Sequence, residues 1–200
     1  MHNPPFLAGG IAAAKAFREK DAAWKAIDYA TSNMYDYQDF FYDPDGFDAR
    51  LREMKEAIGG KPFLAAELCV NNGAFQTRSY RTAFAMGQLY HKVLTMLDTC
   101  GIMYCWTLLN VVQPSYAWTR TLMAPDAEHG LVPAATSHQL RVFGAYSRRI
   151  RAGMSRVQAA SSSPQQENAV ETVAAGEVTV PPGAIVTLTN VELGQAATAS

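Results

Sequence analysis

The stretch "FLAAELCVNN", residues 63–72, is a run of apolar and small residues that contains one glutamate and ends in two asparagines. Short apolar runs that are bounded by turn-forming residues are typical of buried strands. Glu67 stands near the carboxyl end of this run, and burying an ionised carboxylate is costly unless it is paired or hydrogen-bonded. Glu67 is therefore either a strand-end residue that turns to solvent or a functional carboxylate.

The segments on either side of this strand alternate between helical and strand-like patterns. The stretch 43–60 ends in two glycines and carries an apolar stripe at helical spacing, made of Phe47, Leu51, Met54 and Ile58. The full pattern predicts helices at 11–27, 43–60, 79–100 and 137–150, and strands at 27–33, 62–69 and 102–108. Strands that alternate with helices pair in parallel in a sheet that is covered on both faces. The sequence predicts an α/β fold, and both a (β/α)8 barrel and an open doubly wound sheet satisfy the pattern.

The composition narrows the class of partner. The 200 residues are 48% hydrophobic and 18% charged, with a net charge of −1. This balance lacks the basic footprint of nucleic-acid binding, and no stretch approaches the roughly 18 apolar residues of a membrane span. No signal peptide is recognised, because no basic region precedes the small apolar residues at the start.

The cysteines and histidines show no metal-binding pattern. Cys69, Cys100 and Cys105 lie in apolar contexts and are interpreted as buried thiols, and the four histidines lack ligand spacing. The cysteines and histidines therefore predict no metal site.

Polar and aromatic residues gather where the predicted strands end, which is the edge that carries the chemistry in both candidate folds. Besides Glu67, the candidate substrate-binding residues at this edge and in the long loop that follows the third strand are Asn33, Tyr35, Asn71, Trp106, Trp118 and Arg120. Aromatic rings stack on the apolar face of a sugar, and amides and carboxylates match its hydroxyls. The pattern favours a carbohydrate ligand, although Trp106 also fits a plain core position.

Several segments resemble clan A glycoside hydrolases. "KPFLAAELCV" (61–70) and "GIMYCWTLL" (101–109) look like the seventh and eighth barrel strands, which supply the nucleophilic glutamate and an aromatic subsite floor. "SNMYDY" (32–37) resembles the end of the sixth strand, where a His or Asn and a Tyr lie beside the nucleophile. "RVFGAYSRRIRAGMSRV" (141–157) and "VTVPPGAIVTLT" (178–189) are similar to the last barrel helix and the last side-sandwich strands of the glucosylceramidase, xylanase and endo-β-1,6-galactanase group, family 30.

The resemblance implies a retaining hydrolase of O-glycosidic bonds in polysaccharides, with Glu67 as nucleophile and without a metal or organic cofactor. It implies that residues 1–152 hold about the last three to four βα units of a (β/α)8 TIM barrel. Residues 153–193 would be a remnant of a side β-sandwich with a Ser/Gln/Ala-rich linker, and residues 194–200 a disordered tail. Family members carry the acid/base glutamate on an earlier strand, so it is expected to be absent from this chain. The expectation is a C-terminal fragment of a secreted or periplasmic enzyme, inactive by itself.

Two other classes remain open. One is another α/β hydrolase in which Glu67 is structural, which the absence of a G-x-S-x-G motif and of a phosphate-binding loop disfavours. The other is a carbohydrate-binding or structural remnant without turnover. If the glycosidase interpretation holds, Glu67, Tyr35 and Trp106 should converge, with the Tyr35 hydroxyl hydrogen-bonded to the carboxylate. The helix at 137–150 should pack on the outside of the sheet, and residues 177–189 should form strands beside the barrel.

Overall fold

The computed structural model describes residues 4–38, 42–68, 80–105, 107–108, 121–126, 128–133 and 138–151. Within these residues the helices are α1 (Leu7–Arg18), α2 (Asp21–Lys25), α3 (Pro44–Ile58), α4 (Tyr80–Met96) and α5 (His138–Arg149). The strands are β1 (Ala30–Ser32), β2 (Phe63–Ala65), β3 (Thr99–Ile102), β4 (Met123–Asp126) and β5 (Gly130–Pro133), and residues Tyr35–Gln38 form a 3-10 helix. The fold is mixed α/β, as predicted.

Three strands of the described residues form one small parallel sheet. Strands β1, β2 and β3 are adjacent in that order, with α3 between β1 and β2 and α4 between β2 and β3. Ala30 is paired with Phe63, and Ala65 with Ile102. This confirms the predicted parallel order and puts the carboxyl ends of all three strands at one edge.

The third strand begins earlier than predicted, at Thr99 and not at residue 102. Asp98 adopts a left-handed backbone with φ 49°, and the Thr99 hydroxyl donates to the carbonyl of Val93 at 2.8 Å. These two features end α4 at Met96, whereas the apolar pattern extends the helix to residue 100. Backbone capping decided the boundary, because helical periodicity alone does not distinguish the last turn from the first strand residues.

A bulge in β3 changes the environment of one cysteine. Phe63 pairs with Thr99 but the next residue, Leu64, pairs with Gly101, so Cys100 is an extra residue in the ladder. Cys100 is exposed, and its Sγ donates to the Phe63 carbonyl at 3.0 Å. Its interpretation as a buried thiol is therefore wrong. Cys105 is half-buried, and Cys69 lies outside the described residues.

The predicted helix at 11–27 is two helices with a break at Lys20, whose backbone is non-helical at φ −114° and ψ 86°. Helix α3, in contrast, follows its sequence pattern closely. Asp43 accepts a hydrogen bond from the Gly46 amide at 3.1 Å, Pro44 occupies the first turn, and Gly59 ends the helix at φ 54°. The apolar stripe is buried as predicted, with no more than 3% of any member exposed: Phe47, Leu51, Met54 and Ile58.

One apolar cluster joins the helices to the sheet. It combines α1, α3 and α4 with Phe63 and Ala65 of β2, which point to the same face of the strand. Leu64, between them, is half-buried. Gly10 of α1 lets Met54 of α3 approach closely, since a Cβ at Gly10 would lie 3.3 Å from the Met54 methyl carbon.

Helix α5 packs on α4 rather than directly on the strands. The Tyr146 hydroxyl donates to the carbonyl of Gly87 at 2.8 Å, and its ring meets Tyr90 edge-on at 5.5 Å. Phe143 contacts Tyr104, which follows β3, with ring centroids 5.6 Å apart. The predicted packing of this helix on the sheet itself is therefore not confirmed, since its partners are α4 and Tyr104.

The long loop after the third strand contains an unpredicted antiparallel pair, β4 and β5, with Met123 opposite Pro133 and Asp126 opposite Gly130. Pro125 and Pro133 disfavour a strand pattern, but a two-stranded ribbon has open edges that tolerate a missing N–H. The predicted sandwich remnant at 153–193, including the strands at 177–189, and the tail at 194–200 lie outside the described residues.

The α3 stripe yields a stability prediction. Leu51→Ala should lower the free energy of unfolding by roughly 2–5 kcal/mol, because it leaves a cavity at a fully buried site. The neighbouring exposed change Arg52→Ala should alter it by less than about 0.5 kcal/mol. Urea denaturation followed by circular dichroism measures both, and equal effects of the two substitutions would contradict the placement of α3.

Candidate active site

Glu67 lies just beyond β2, where the backbone is still held by both neighbouring strands. The amide of Ala66 donates to the Ser32 carbonyl on the β1 side at 2.9 Å. On the β3 side, the Met103 amide donates to Ala65, and the Leu68 amide donates to Met103, both at 2.9 Å. The position of Glu67 is therefore set by hydrogen bonds on either side of it.

This ladder contains one extra residue, and the extra residue decides which way Glu67 faces. In a regular parallel ladder the amide of residue 67, not 68, would donate to Met103. Strict alternation would have put Glu67 on the same face as Phe63 and Ala65, inside the apolar core. Leu68 is instead the fully buried residue in that core, and Glu67 is half-buried. The irregularity exchanges a carboxylate for a leucine at the buried position.

The Tyr35 hydroxyl donates a hydrogen bond to Oε2 of Glu67. Tyr35 comes from the segment after β1, the strand adjacent to β2, so the contact joins the carboxyl ends of two parallel strands. The hydroxyl donor offsets part of the hydration that the half-buried carboxylate loses. Two sequence-predicted residues thus meet as expected.

The tyrosine is electrostatically coupled to its surroundings. Burial, together with the hydrogen bond to Glu67 and the charge of Glu67, raises the pKa of Tyr35 to about 12, and the charge of Cys105 adds to the effect. A hydrogen bond with the Asn33 side chain opposes the rise in the Tyr35 pKa. Asn33, Tyr35, Glu67 and Cys105 therefore form one interacting group at this edge of the sheet.

Met34 has an unusual backbone immediately before Tyr35. Its φ is 58°, a left-handed conformation that is uncommon for residues other than glycine, while its side chain is completely buried. The Met34 amide donates to the Ser32 hydroxyl at 3.0 Å, and that hydroxyl donates to the Pro4 carbonyl at 3.1 Å. Local strain that the surrounding structure maintains in this way is concentrated at functional sites.

The structure describes none of the four remaining predicted site residues. Asn71, Trp106, Trp118 and Arg120 lie outside the described residues, so the convergence of Trp106 with Glu67 and the substrate-binding roles of all four stay predictions. Sequence reasoning missed Cys105 and Met34. Cys105 could have been found, because it follows β3 at the same edge and a position after a strand is the signal that identified Tyr35 and Glu67. No sequence pattern marks a methionine with a left-handed backbone.

The described residues offer no arrangement of three or more His, Cys, Asp or Glu side chains that could hold a metal ion. None of the helices in these residues has the length and the apolar character needed to cross a lipid bilayer.

Titration of Tyr35 tests the geometry of the site. Glu67→Gln removes the neighbouring charge, so the pKa of Tyr35 should fall from about 12 but stay above 10.0, because burial, the largest cause, remains. In the unaltered chain, the stabilising contribution of Tyr35 should be complete below pH 10.0 and be lost as the pH rises towards about 12. NMR of 13C-labelled tyrosine measures the pKa, and Tyr35→Phe identifies the signal.

The matched control is Glu56→Gln, which neutralises an exposed carboxylate on α3 and should leave the Tyr35 titration unchanged. Equal titration curves in Glu67→Gln and the unaltered chain would contradict the contact between the two side chains.

No family model, no curated protein and no solved structure matches the chain. The functional assignment accordingly depends on the residues of the site and their geometry.

Proposed function

We propose that this chain carries the nucleophile of a retaining glycoside hydrolase that acts on polysaccharides of the β-1,6-galactan or xylan type, and that the nucleophile is Glu67. The observation that carries the proposal is the hydrogen bond from Tyr35 to Glu67 at the carboxyl edge of a parallel sheet. Chemistry in α/β folds belongs at this edge, and a carboxylate with a tyrosine donor beside it suits nucleophilic attack on a sugar.

The arrangement of the Glu67 carboxylate supports different roles for its two oxygens, one as a hydrogen-bond acceptor and one as the attacking atom. Among the described residues, Tyr35 is the hydrogen-bond partner of Glu67, and it occupies Oε2. We assign the attack on the anomeric carbon to Oε1. The covalent glycosyl–enzyme ester forms as the bond to the leaving-group oxygen breaks, and water later hydrolyses the ester and releases the sugar.

The reaction also requires an acid/base carboxyl group about 5–5.5 Å from the nucleophile. Following the family resemblance, we assign this group to a strand outside residues 1–200. General acid catalysis contributes about a hundredfold to ten-thousandfold. The 200-residue chain by itself should therefore turn over natural polysaccharides at a negligible rate, whereas a substrate with a good leaving group does not depend on the acid.

The fold agrees with this proposal at the level of chain order. The described sheet has three parallel strands that are neighbours both in sequence and in space, with a helix between each pair. This order supports the proposal because consecutive units of a (β/α)8 barrel are connected in the same way. We propose that Asn71, Trp106, Trp118 and Arg120 complete the sugar subsite, and that the enzyme acts outside the cytoplasm, where polysaccharides are met.

Covalent trapping tests the nucleophile directly. The chain is incubated with dinitrophenyl 2-deoxy-2-fluoroglycosides of galactose and xylose, whose leaving group needs no acid and whose fluorine slows hydrolysis of the ester. Mass spectrometry of peptides should then find the fluorosugar on Glu67. Glu67→Gln should take up no label, because an amide is a poor nucleophile.

Glu56→Gln is the control, since it removes an exposed carboxylate from α3 and should leave labelling of Glu67 intact. A label on another residue, equal labelling of Glu67→Gln, or no label from any of these sugars would contradict the proposal.

A further inference from the structure

Residues Pro4–Leu7 hold the segment that contains Tyr35 through contacts of several kinds. The Pro4 carbonyl accepts hydrogen bonds from the Asn33 amide at 2.9 Å and from the Ser32 hydroxyl at 3.1 Å. The Pro5 carbonyl accepts from the Tyr35 amide at 2.7 Å. We call residues 4–7 the clasp.

The clasp also contacts the ring of Tyr35. Phe6 packs edge-on against it, with ring centroids 6.4 Å apart and an interplanar angle of 80°. Both the backbone and the ring of the tyrosine are therefore in contact with the clasp.

Asp36 also binds the clasp, but here the clasp supplies the donor and the segment that contains Tyr35 supplies the acceptor. The Leu7 amide, at the start of α1, donates to both carboxylate oxygens of Asp36, at 3.0 Å and 3.1 Å. Phe6, the residue before α1, has no side-chain acceptor, so the cap that a local Ser or Asp would supply comes from a residue 29 positions away. Only 13% of the Asp36 side chain is exposed, and Arg50 of α3 places its Nε 4.0 Å from Oδ2.

Asp36 is adjacent to Tyr35 within the same 3-10 helix. A carboxylate anchored between α1 and α3 therefore restrains the backbone from which the Tyr35 side chain leaves. The left-handed Met34 lies on the other side of Tyr35 and would relax if this segment were released, because left-handed backbone is unfavourable for a residue with a side chain. The hydrogen bond from Leu7 to Asp36 and the strained backbone of Met34 therefore act on the same short turn, on either side of Tyr35.

We propose that Asp36 is a positioning residue: by accepting the Leu7 amide it holds the turn that brings the Tyr35 hydroxyl to Glu67. Its importance for catalysis rests on the proposed function of Glu67, but the positioning itself does not. Asp36 acts through Tyr35 and contacts no reacting atom.

Two readouts test the role of Asp36 separately. In Asp36→Ala the Tyr35 hydroxyl should lose its fixed contact with Glu67, so the NMR-measured pKa of Tyr35 should fall towards the usual value of about 10. The groups that act on this titration are Glu67, Cys105 and Asn33, and the substitution leaves all three in the chain. The rate at which the fluorosugar labels Glu67 should fall on the order of a hundredfold, as expected when a group that orients the nucleophile is misplaced. Asp36→Asn keeps one acceptor oxygen. Its Tyr35 pKa and its labelling rate should therefore lie between those of the unaltered chain and those of Asp36→Ala.

Asp43→Ala is the matched control, because Asp43 also caps a helix through its carboxylate but does so at α3. It should leave the Tyr35 pKa and the labelling rate unchanged, although it removes a cap of the same kind. Circular dichroism checks that each variant folds, and if Asp36→Ala does not, Asp36→Asn carries the comparison.

The outcomes separate the two proposals. An unchanged Tyr35 pKa in a folded Asp36 variant, or an equal change in Asp43→Ala, would overturn the positioning role. A lowered Tyr35 pKa in Asp36→Ala, together with no label on Glu67 in the unaltered chain, would support the positioning role and overturn the glycosidase assignment.

Discussion

The extra residue between Ala65 and Leu68 is the constraint on which the candidate site depends. Because Met103 bonds to both of these residues, the chain accommodates Ala66 and Glu67 where a regular ladder has room for one residue. Leu68 then completes the core beneath the helices, and Glu67 is left half-buried beside Tyr35. A regular strand would have forced either a carboxylate into the core or the whole strand out of register, and both are strongly unfavourable.

A second constraint brings the partner to this carboxylate. Tyr35 is held by its backbone to Pro5, by its ring to Phe6, and by Asp36 to the first amide of α1. The site is thus assembled from a bulged strand end, which is held by backbone hydrogen bonds, and a clasped turn, which is held by the Pro5 carbonyl, the Phe6 ring and the Asp36 carboxylate. This explains how a strand of only three residues can present a fixed functional group.

The electrostatic balance of the site follows from its partial burial. Tyr35 keeps its proton over a wider pH range than a tyrosine in water, since burial and the charge of Glu67 both raise its pKa. It therefore stays a hydrogen-bond donor to the carboxylate at neutral and moderately alkaline pH. Cys105 shares this environment, so the thiol belongs to the electrostatics of the site as well as to the strand end that carries it.

Local sequence determined those features whose cause is local. The stripe of α3 and its caps could be predicted because periodicity and capping act through neighbouring residues. The gathering of Asn33, Tyr35 and Glu67 at one edge could be predicted because strands that alternate with helices pair in parallel, which puts their carboxyl ends together. The tertiary structure decided the start of β3, the exposure of Cys100, the exchange of Glu67 for Leu68 in the core, and the cap that Asp36 supplies to α1. The exposure of Cys100, the burial of Leu68 and the cap on α1 each depend on a pairing between residues distant in the chain, and such a pairing leaves no periodic trace in the sequence. The start of β3 depends on the left-handed Asp98 and on the hydrogen bond of the Thr99 hydroxyl, which periodicity does not reveal either.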